Sequence, residues 1–150
     1  MKSKRWLIIA ATLLLISIGI NIYQYQSHQK VLTEAKSTDL TAIRGVMTEL
    51  AVRIGDEDAS ESEIEALAFS LNRLTSDLSS SVSLYPGSTA DYEFYQKTAR
   101  TLMTFVNNHE VTEMSIQKRD VIFQTIMSGV GSKDADFIEQ QLTELSQDVE

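Results

Sequence analysis

The sequence predicts an all-α protein in which an N-terminal transmembrane helix continues into a stalk, followed by an antiparallel bundle of four to five helices. Two observations lead to this prediction. A charge-free apolar run lies near the start of the chain, and apolar residues recur at steps of three and four through the rest of it. No segment alternates apolar and polar residues as a half-buried strand does.

The composition excludes several classes of site. The 150 residues carry 13 Lys+Arg and 21 Asp+Glu, a net charge of −8, with 43% hydrophobic residues and no cysteine. The missing cysteines exclude disulfides, thiolate metal ligands and a cysteine nucleophile. An acidic chain lacks the basic footprint that displaces counterions from phosphates, so we expect no nucleic-acid partner.

Residues 6–23, with the sequence WLIIAATLLLISIGINIY, predict the transmembrane helix. These 18 residues span roughly 27 Å as a helix, close to the thickness of the hydrocarbon core of a bilayer. Trp6 and Tyr23 stand at the two ends, where aromatic side chains favour the membrane interface. A buried core helix is the alternative, but such a helix normally keeps a polar face, and this segment has none.

The flanking charges predict the orientation of this helix. Lys2, Lys4 and Arg5 precede it, whereas the first lysine on the other side is Lys30. The positive-inside rule therefore places residues 1–5 in the cytoplasm and the C-terminal part outside, as in a single-pass protein of the cell membrane. A cleaved signal peptide is the alternative, but the missing A-x-A-like site and the length of the run favour a retained signal-anchor. With five residues before the anchor, we expect no cytoplasmic output domain.

Residues 24–39 are mostly polar and contain no Gly or Pro, so they predict a helical stalk that continues the anchor. Residues 40–150 predict the extracytoplasmic bundle domain. Its first helix ends at Gly55 and has an apolar face made of Leu40, Ile43, Met47, Leu50 and Ile54.

A second helix is predicted after an acidic stretch. Ser60 and Glu63 have the spacing of a capping box, and the only proline, Pro86, follows Tyr85 in a turn that ends this helix. Its apolar seam consists of Ile64, Leu67, Leu71, Leu74 and Leu78.

Three more helices complete the predicted bundle. The third is capped by Ser88 or Thr89, ends near Asn107 and Asn108, and turns inward Tyr92, Tyr95, Ala99, Leu102 and Val106. The fourth stops around residues 129–131 and carries Val111, Met114, Val121, Ile122, Thr125 and Ile126. The fifth is capped by Ser132 and turns inward Phe137, Ile138, Leu142, Leu145 and Val149.

The charge distribution favours a domain that stands off the membrane. After Tyr23 the chain carries 10 basic and 21 acidic residues, a net charge of −11. Such a surface repels anionic headgroups and nucleic acid. A solvated acidic surface with no functional role explains the same count, and we prefer that explanation.

Metal sites are not predicted. The cluster Asp56-Glu57-Asp58 resembles the start of a calcium loop, but an EF-hand counted from Asp56 would need Gly at the place of Glu61 and Glu at that of Leu67. Helix capping explains these acids better. The two histidines, His28 and His109, lack zinc-site spacing, so we expect neither a metal nor a cofactor.

Catalysis is not predicted either. Ser115 and Lys118 match the S-x-x-K spacing of penicillin-binding enzymes, which brings a lysine within reach of a serine on one helical face. The accompanying S-D-N and K-T-G motifs are absent, so we interpret the match as chance.

The remaining candidate is an aromatic cluster on the third helix. Because its rings cover more than one face, we consider a partner-binding patch beside the simpler alternative of core packing. Its members are Tyr92, Phe94, Tyr95 and Phe105.

These observations favour a non-catalytic interaction module, such as an adaptor, regulator or scaffold of a membrane or envelope complex. A tether raises the effective concentration of the domain for its membrane neighbours. We expect a protein partner, with a second copy of the chain as one alternative. A helical domain that senses a small molecule and acts through a membrane partner is the second hypothesis, because bundles build ligand sites between facing helices.

Overall fold

The computed structural model describes residues 2–82, Tyr85 and residues 89–147, except for the side chains of residues 2–5, 7–11, 80 and 81. Within this part of the chain the protein is all-helical and contains no strand, which confirms the all-α part of the predicted fold. Its elements are α1 (Lys2–Gly55), α2 (Glu61–Ser81), α3 (Ala90–Asn108), a 3₁₀ turn (Val111–Glu113), α4 (Ile116–Ser132) and α5 (Ala135–Gln147).

Consecutive helices run antiparallel. Ile43 of α1 lines one cavity with Leu74 and Leu78, which lie towards the end of α2. A short loop joins the end of α1 to the start of α2, so the two helices run in opposite directions. Around the bundle the order is α1, α2, α3, α5, α4, because α5 packs between α3 and α4, and α4 returns to α1. We call the end where α1 enters the bundle, near Leu40 and Lys133, the stalk end.

α1 is a single helix of 54 residues that ends at Gly55, as predicted. Its C-terminal part enters the core through Ile43, Met47, Leu50, Ala51 and Ile54, which are all buried. Residues 12–28, here called the projecting segment, are exposed on every side. Among the described residues, no helix combines the length and the apolar character that a membrane crossing requires. The predicted anchor, residues 6–23, includes residues 7–11, whose side chains lie outside the described part.

α2 begins as the sequence predicts. The backbone N–H of Glu63 donates to Ser60 Oγ at 3.4 Å, and the N–H of Ser60 donates to Glu63 Oε2 at 3.1 Å, which completes the capping box. Ile64, Leu71 and Leu78 of the predicted seam are buried, while its other two leucines are partly buried. Pro86 of the predicted turn lies outside the described residues.

α3 has Thr89 at its N-cap and ends at Asn108, as predicted, although the Thr89 hydroxyl donates to the Glu93 carboxylate and caps no backbone N–H. Ser88, the other predicted cap, lies outside the described residues. The predicted inner face is confirmed, since all five of its residues are buried: Tyr92, Tyr95, Ala99, Leu102 and Val106.

The predicted start of the fourth helix was wrong, and its end lies one residue beyond the predicted range. Val111 lies in the 3₁₀ turn, and α4 begins only at Ile116, because Ser115 Oγ accepts the N–H of Lys118 and caps the helix there. At the other end α4 continues through Gly129 and stops at Ser132. Val121 is 45% exposed and does not belong to the inner face.

The predicted cap and one predicted core residue of the fifth helix were also wrong. Ser132 belongs to α4, and it is Asp134 Oδ1 that accepts the N–H of Phe137 at 2.9 Å. Phe137 itself is 38% exposed, whereas Ile138 and Leu142 are buried. Val149 lies outside the described residues.

Candidate functional site

The corner between α4 and α5 depends on one residue with unusual backbone geometry. Lys133 has φ 56° and ψ 42° and is the one non-glycine residue with positive φ among the described residues. The backbone N–H groups of Lys133 and Asp134 both donate to the Gly129 carbonyl, which closes the end of α4. Glycine is the residue that usually occupies such a left-handed position, so a lysine here calls for an explanation from its side chain.

The Lys133 side chain crosses to α3. Its Nζ donates to Asp91 Oδ1 at 2.5 Å. This hydrogen bond raises the pKa of Lys133, the charge of Asp91 adds to the effect, and the guanidinium of Arg44 on α1 opposes it. Tyr95 is also close enough to raise the pKa of Lys133. Three helices therefore bring charged or polar groups to one point.

These groups line a cleft of about 340 Å³ at the stalk end of the bundle. We call it the stalk-end cleft. One wall comes from α1, and the other comes from the N-terminal part of α3 and from Lys133, the residue that follows α4. Its lining residues are Thr33, Lys36, Ser37, Leu40, Thr41, Arg44, Asp91, Tyr95 and Lys133.

The stalk-end cleft is cationic in an acidic chain. Among the described residues, Lys36, Arg44 and Lys133 line it together with a single acidic residue, Asp91. Arg44 is exposed and forms no ion pair with another described residue. Tyr95 is only 6% exposed, yet its hydroxyl makes no hydrogen bond to any residue that the structure describes. Arg44 and the Tyr95 hydroxyl are therefore available as donors in the cleft.

The sequence could have indicated part of this cleft. Lys36, Leu40 and Arg44 follow each other at steps of four and therefore share one face of α1. Their contact with Lys133 is not visible in the sequence, because it depends on how α4 packs against α1.

The structure places the four rings of the proposed partner patch in the core. Tyr92, Phe94, Tyr95 and Phe105 are each 7% exposed or less. Phe94 and Tyr95 make an edge contact with centroids 4.9 Å apart, and Phe105 stacks on His109 at 4.6 Å. Core packing therefore accounts for these rings, and the patch considered from the sequence is not a surface of this structure.

Ser115 contacts Lys118 through the Ser115 side chain and the Lys118 backbone. Ser115 Oγ accepts the backbone N–H of Lys118 at 3.4 Å, which is the geometry of a helix N-cap. Helix capping explains the spacing of these two residues and requires no catalytic role.

Asp56, the first residue of the acidic cluster after α1, is likewise engaged in the fold. Asp56 pairs with Arg53 at 3.0 Å, and its other carboxylate oxygen accepts the N–H of Asp58 at 3.1 Å. Among the described residues, no three His, Cys, Asp or Glu side chains converge as metal ligands. His28 is exposed in the projecting segment, far along the chain from His109.

Sequence reasoning missed the buried cation Arg119. Its guanidinium is buried at the end of α1, where Nε donates to the Ile54 carbonyl at 2.7 Å and Nη2 donates to the carbonyls of Arg53 and Asp56. A cation is favourable there, because the C-terminal carbonyls of a helix lack intrahelical donors and carry partial negative charge. Arg119 lies three positions before Ile122 and therefore shares the apolar face of α4. A cation on an apolar face is the sequence signal that could have indicated its burial.

Comparison with family models, with curated proteins and with solved structures finds no match for this chain.

Proposed function

We propose that the chain is a membrane-anchored interaction module whose helical bundle stands outside the cytoplasm and acts by binding a membrane protein. The observation that carries this proposal is the projecting segment of α1. Seven large aliphatic side chains of this segment are 46–69% exposed: Leu13, Leu14, Leu15, Ile16, Ile18, Ile20 and Ile22.

The distribution of these side chains around the helix favours a lipid environment. Successive residues of a helix are about 100° apart, so residues 13–16 alone face all directions. A helix that is apolar all round is either buried in protein or spans a membrane. Moving a fully exposed Leu or Ile side chain from water to an apolar phase gains about 1.5–3 kcal/mol, and no other described helix covers this segment.

The orientation in the proposal rests on the flanking charges. Lys2, Lys4 and Arg5 lie on the N-terminal side of the apolar run, and the acidic bundle lies on the other. The positive-inside rule favours the basic flank in the cytoplasm. The bundle then stands outside, held near its membrane partners at a raised effective concentration.

Binding rather than catalysis is proposed because the candidate chemical groups have structural partners. Ser115 caps α4, Asp56 pairs with Arg53, and the conspicuous aromatic rings fill the core. A tethered domain with a well-packed core and an acidic surface suits an adaptor or regulator, which needs no reacting group.

Liposome flotation of the full chain tests the anchor. The variant L14R/I16R puts two charges in the centre of the apolar run, where each costs about 2.5–3.5 kcal/mol on insertion scales. The control V31R/V52R makes the same change of charge at two exposed apolar residues outside the run. We expect wild type and control to float with the lipid and L14R/I16R to stay in the aqueous fraction. Equal flotation of the two variants would contradict the proposal.

Purification of the full chain from its native membrane in mild detergent tests the interaction. We expect a membrane protein to co-purify at a fixed stoichiometry, and to be lost with the L14R/I16R variant expressed in the same cells. A chain that purifies alone, or that carries the same companions without its apolar segment, contradicts the role of the tether.

A further inference from the structure

We propose that the stalk-end cleft binds a phosphate group of a soluble compound through Arg44, Lys36, Lys133 and the hydroxyl of Tyr95. This site goes beyond the interaction role proposed above, and its existence does not depend on the membrane anchor. It gives the chain a small-ligand site in addition to its protein partner.

The local charge carries the first step. Among the residues that the structure describes, three cations and one carboxylate line the cleft and together carry a charge of +2, whereas the whole chain has a net charge of −8. Like charges gathered at one place repel each other, and an anion between them relieves this repulsion. Asp91 is engaged with Lys133, while Arg44 forms no ion pair with another described residue.

The donor set carries the second step. A phosphate presents three or more acceptor oxygens, and a guanidinium or an ammonium binds it through short charge-assisted hydrogen bonds. Here Lys36 and Arg44 approach from α1, one turn to either side of Leu40, and Lys133 approaches from α4. Lys133 keeps donors for an anion while it binds Asp91, because an ammonium has three N–H groups.

Tyr95 adds a neutral donor to the cations. Its side chain lines the cleft, close enough to Lys133 to influence it electrostatically. Its hydroxyl has no hydrogen-bond partner among the described residues and is not one of the buried polar atoms, so solvent in the cleft reaches it. A phosphate oxygen held by the neighbouring cations can accept a hydrogen bond from this hydroxyl.

The backbone conformation of Lys133 also supports a phosphate site in the cleft. Its left-handed conformation disfavours any residue with a Cβ, and glycine would close α4 without that strain. Strain retained at one position is a feature of binding sites. A lysine here places an ammonium in the cleft, which glycine cannot do.

The length of α1 favours a soluble compound over a lipid headgroup. From Tyr23 to Lys36 the helix rises about 20 Å, whereas a headgroup layer is only about 5–8 Å thick. An upright helix therefore holds the cleft beyond the lipid phosphates. This choice of source rests on the proposed anchor, unlike the phosphate site itself.

Titration of the full chain with inorganic phosphate tests the site, with amide chemical shifts as the readout and sodium chloride at matched ionic strength as the reference. The chain is held in nanodiscs of phosphatidylcholine. We expect saturable shifts confined to residues 33–44, 91–95 and 130–135. R44Q, a change at an exposed residue that carries no ion pair among those described, should weaken binding about tenfold or more. Y95F should weaken it less, and R73Q, with the same loss of charge on α2, should leave it unchanged.

Non-saturable shifts, or equal effects of R44Q and R73Q, would overturn the phosphate site. Nanodiscs that also contain phosphatidylglycerol identify the source. If nanodiscs with the anionic lipid, and no added phosphate, produce the same shifts as inorganic phosphate, the bound group is a headgroup and the soluble assignment is wrong. If only inorganic phosphate produces them, the soluble assignment holds. If the chain fails to float with lipid and still binds phosphate, the membrane anchor is wrong and the phosphate site stands.

Discussion

The side chain of Ile138 occupies the space that a Cβ atom on Gly129 would take. Both Cγ1 and Cδ1 of Ile138 lie inside the van der Waals distance of that point, and the Asp134 carbonyl oxygen lies 3.2 Å from it. Ile138 is fully buried. α5 therefore packs directly on the backbone of α4, and this contact sets the tight corner that holds Lys133 in the stalk-end cleft.

We expect Gly129→Ala to lower the free energy of unfolding by about 1–3 kcal/mol, because an added methyl group in a filled core forces side chains or backbone to shift. Gly131→Ala is the matched control. A Cβ at Gly131 meets nothing within 4 Å, so this change should raise stability by about 0.5–1 kcal/mol through the unfolded chain. Urea denaturation measures both, and similar values for the two variants would contradict the packing described.

Two buried threonines should respond in opposite directions to replacement by valine. Thr98 is fully buried and its hydroxyl has no hydrogen-bond partner in the described structure, so Thr98→Val should raise the unfolding free energy by roughly 1 kcal/mol. The hydroxyl of Thr75 donates to the Leu71 and Asn72 carbonyls, so Thr75→Val should lower it by roughly 0.5–1.5 kcal/mol. Thermal or chemical unfolding gives the signs, and a loss of stability at Thr98 would show that its hydroxyl is satisfied.

Arg119 should prove more important for stability than any exposed arginine. Arg119→Met keeps an apolar stem and leaves the carbonyls of Arg53, Ile54 and Asp56 without their buried donor. We expect a loss of about 2–3 kcal/mol, with faster amide exchange over residues 53–58. Arg73→Met on the exposed face of α2 should cost less than about 0.5 kcal/mol. Equal losses in the two variants would mean that Arg119 does not tie α4 to α1.

Tyr85 predicts a loss of stability at alkaline pH. Its hydroxyl donates to Asp39 Oδ2 at 2.6 Å, and this hydrogen bond, with smaller effects of burial and of the carboxylate charge, raises the pKa of Tyr85 above 10.0. The folded state then keeps a proton that the unfolded state releases. The contribution is fully present below about pH 10 and is lost as the pH rises through the pKa of the folded state.

Denaturation at a series of pH values from about 8 to 11 measures this effect. We expect Tyr85→Phe to be less stable than wild type at the lower pH and to lose less stability as the pH rises. Tyr25→Phe, a change on an exposed ring of the projecting segment, is the control. A wild type and a Tyr85→Phe variant with parallel pH profiles would show that the Asp39 hydrogen bond does not couple to folding.

Local signals in the sequence predicted much of the fold. The capping box of Ser60 and Glu63 and the end of α1 at Gly55 depend on residues a few positions apart, and both were found. The buried positions of α2 and α3 follow from apolar spacing, which directly reports the face that a helix turns to the core.

The errors arose where distant residues decide the local structure. Gly129 was interpreted as a helix stop, but its role is to admit Ile138, which is set by the packing of α5 on α4. Val121 is apolar, but the packing of the helices leaves its side chain exposed to solvent. The stalk-end cleft was missed for the same reason, since Arg44 and Lys133 are 89 positions apart in the chain and meet only in the bundle.

Labelling of single cysteines in intact cells tests the central claim most directly, because the chain has no cysteine of its own. Thr104→Cys introduces a thiol at an exposed position of α3, and Ser3→Cys introduces one before the apolar run. We expect a membrane-impermeant maleimide to label Thr104→Cys in intact cells and Ser3→Cys only after the cells are opened, with both proteins in the membrane fraction. Labelling of Ser3→Cys alone in intact cells, or protection of both thiols until the cells are opened, would contradict a bundle held outside by α1.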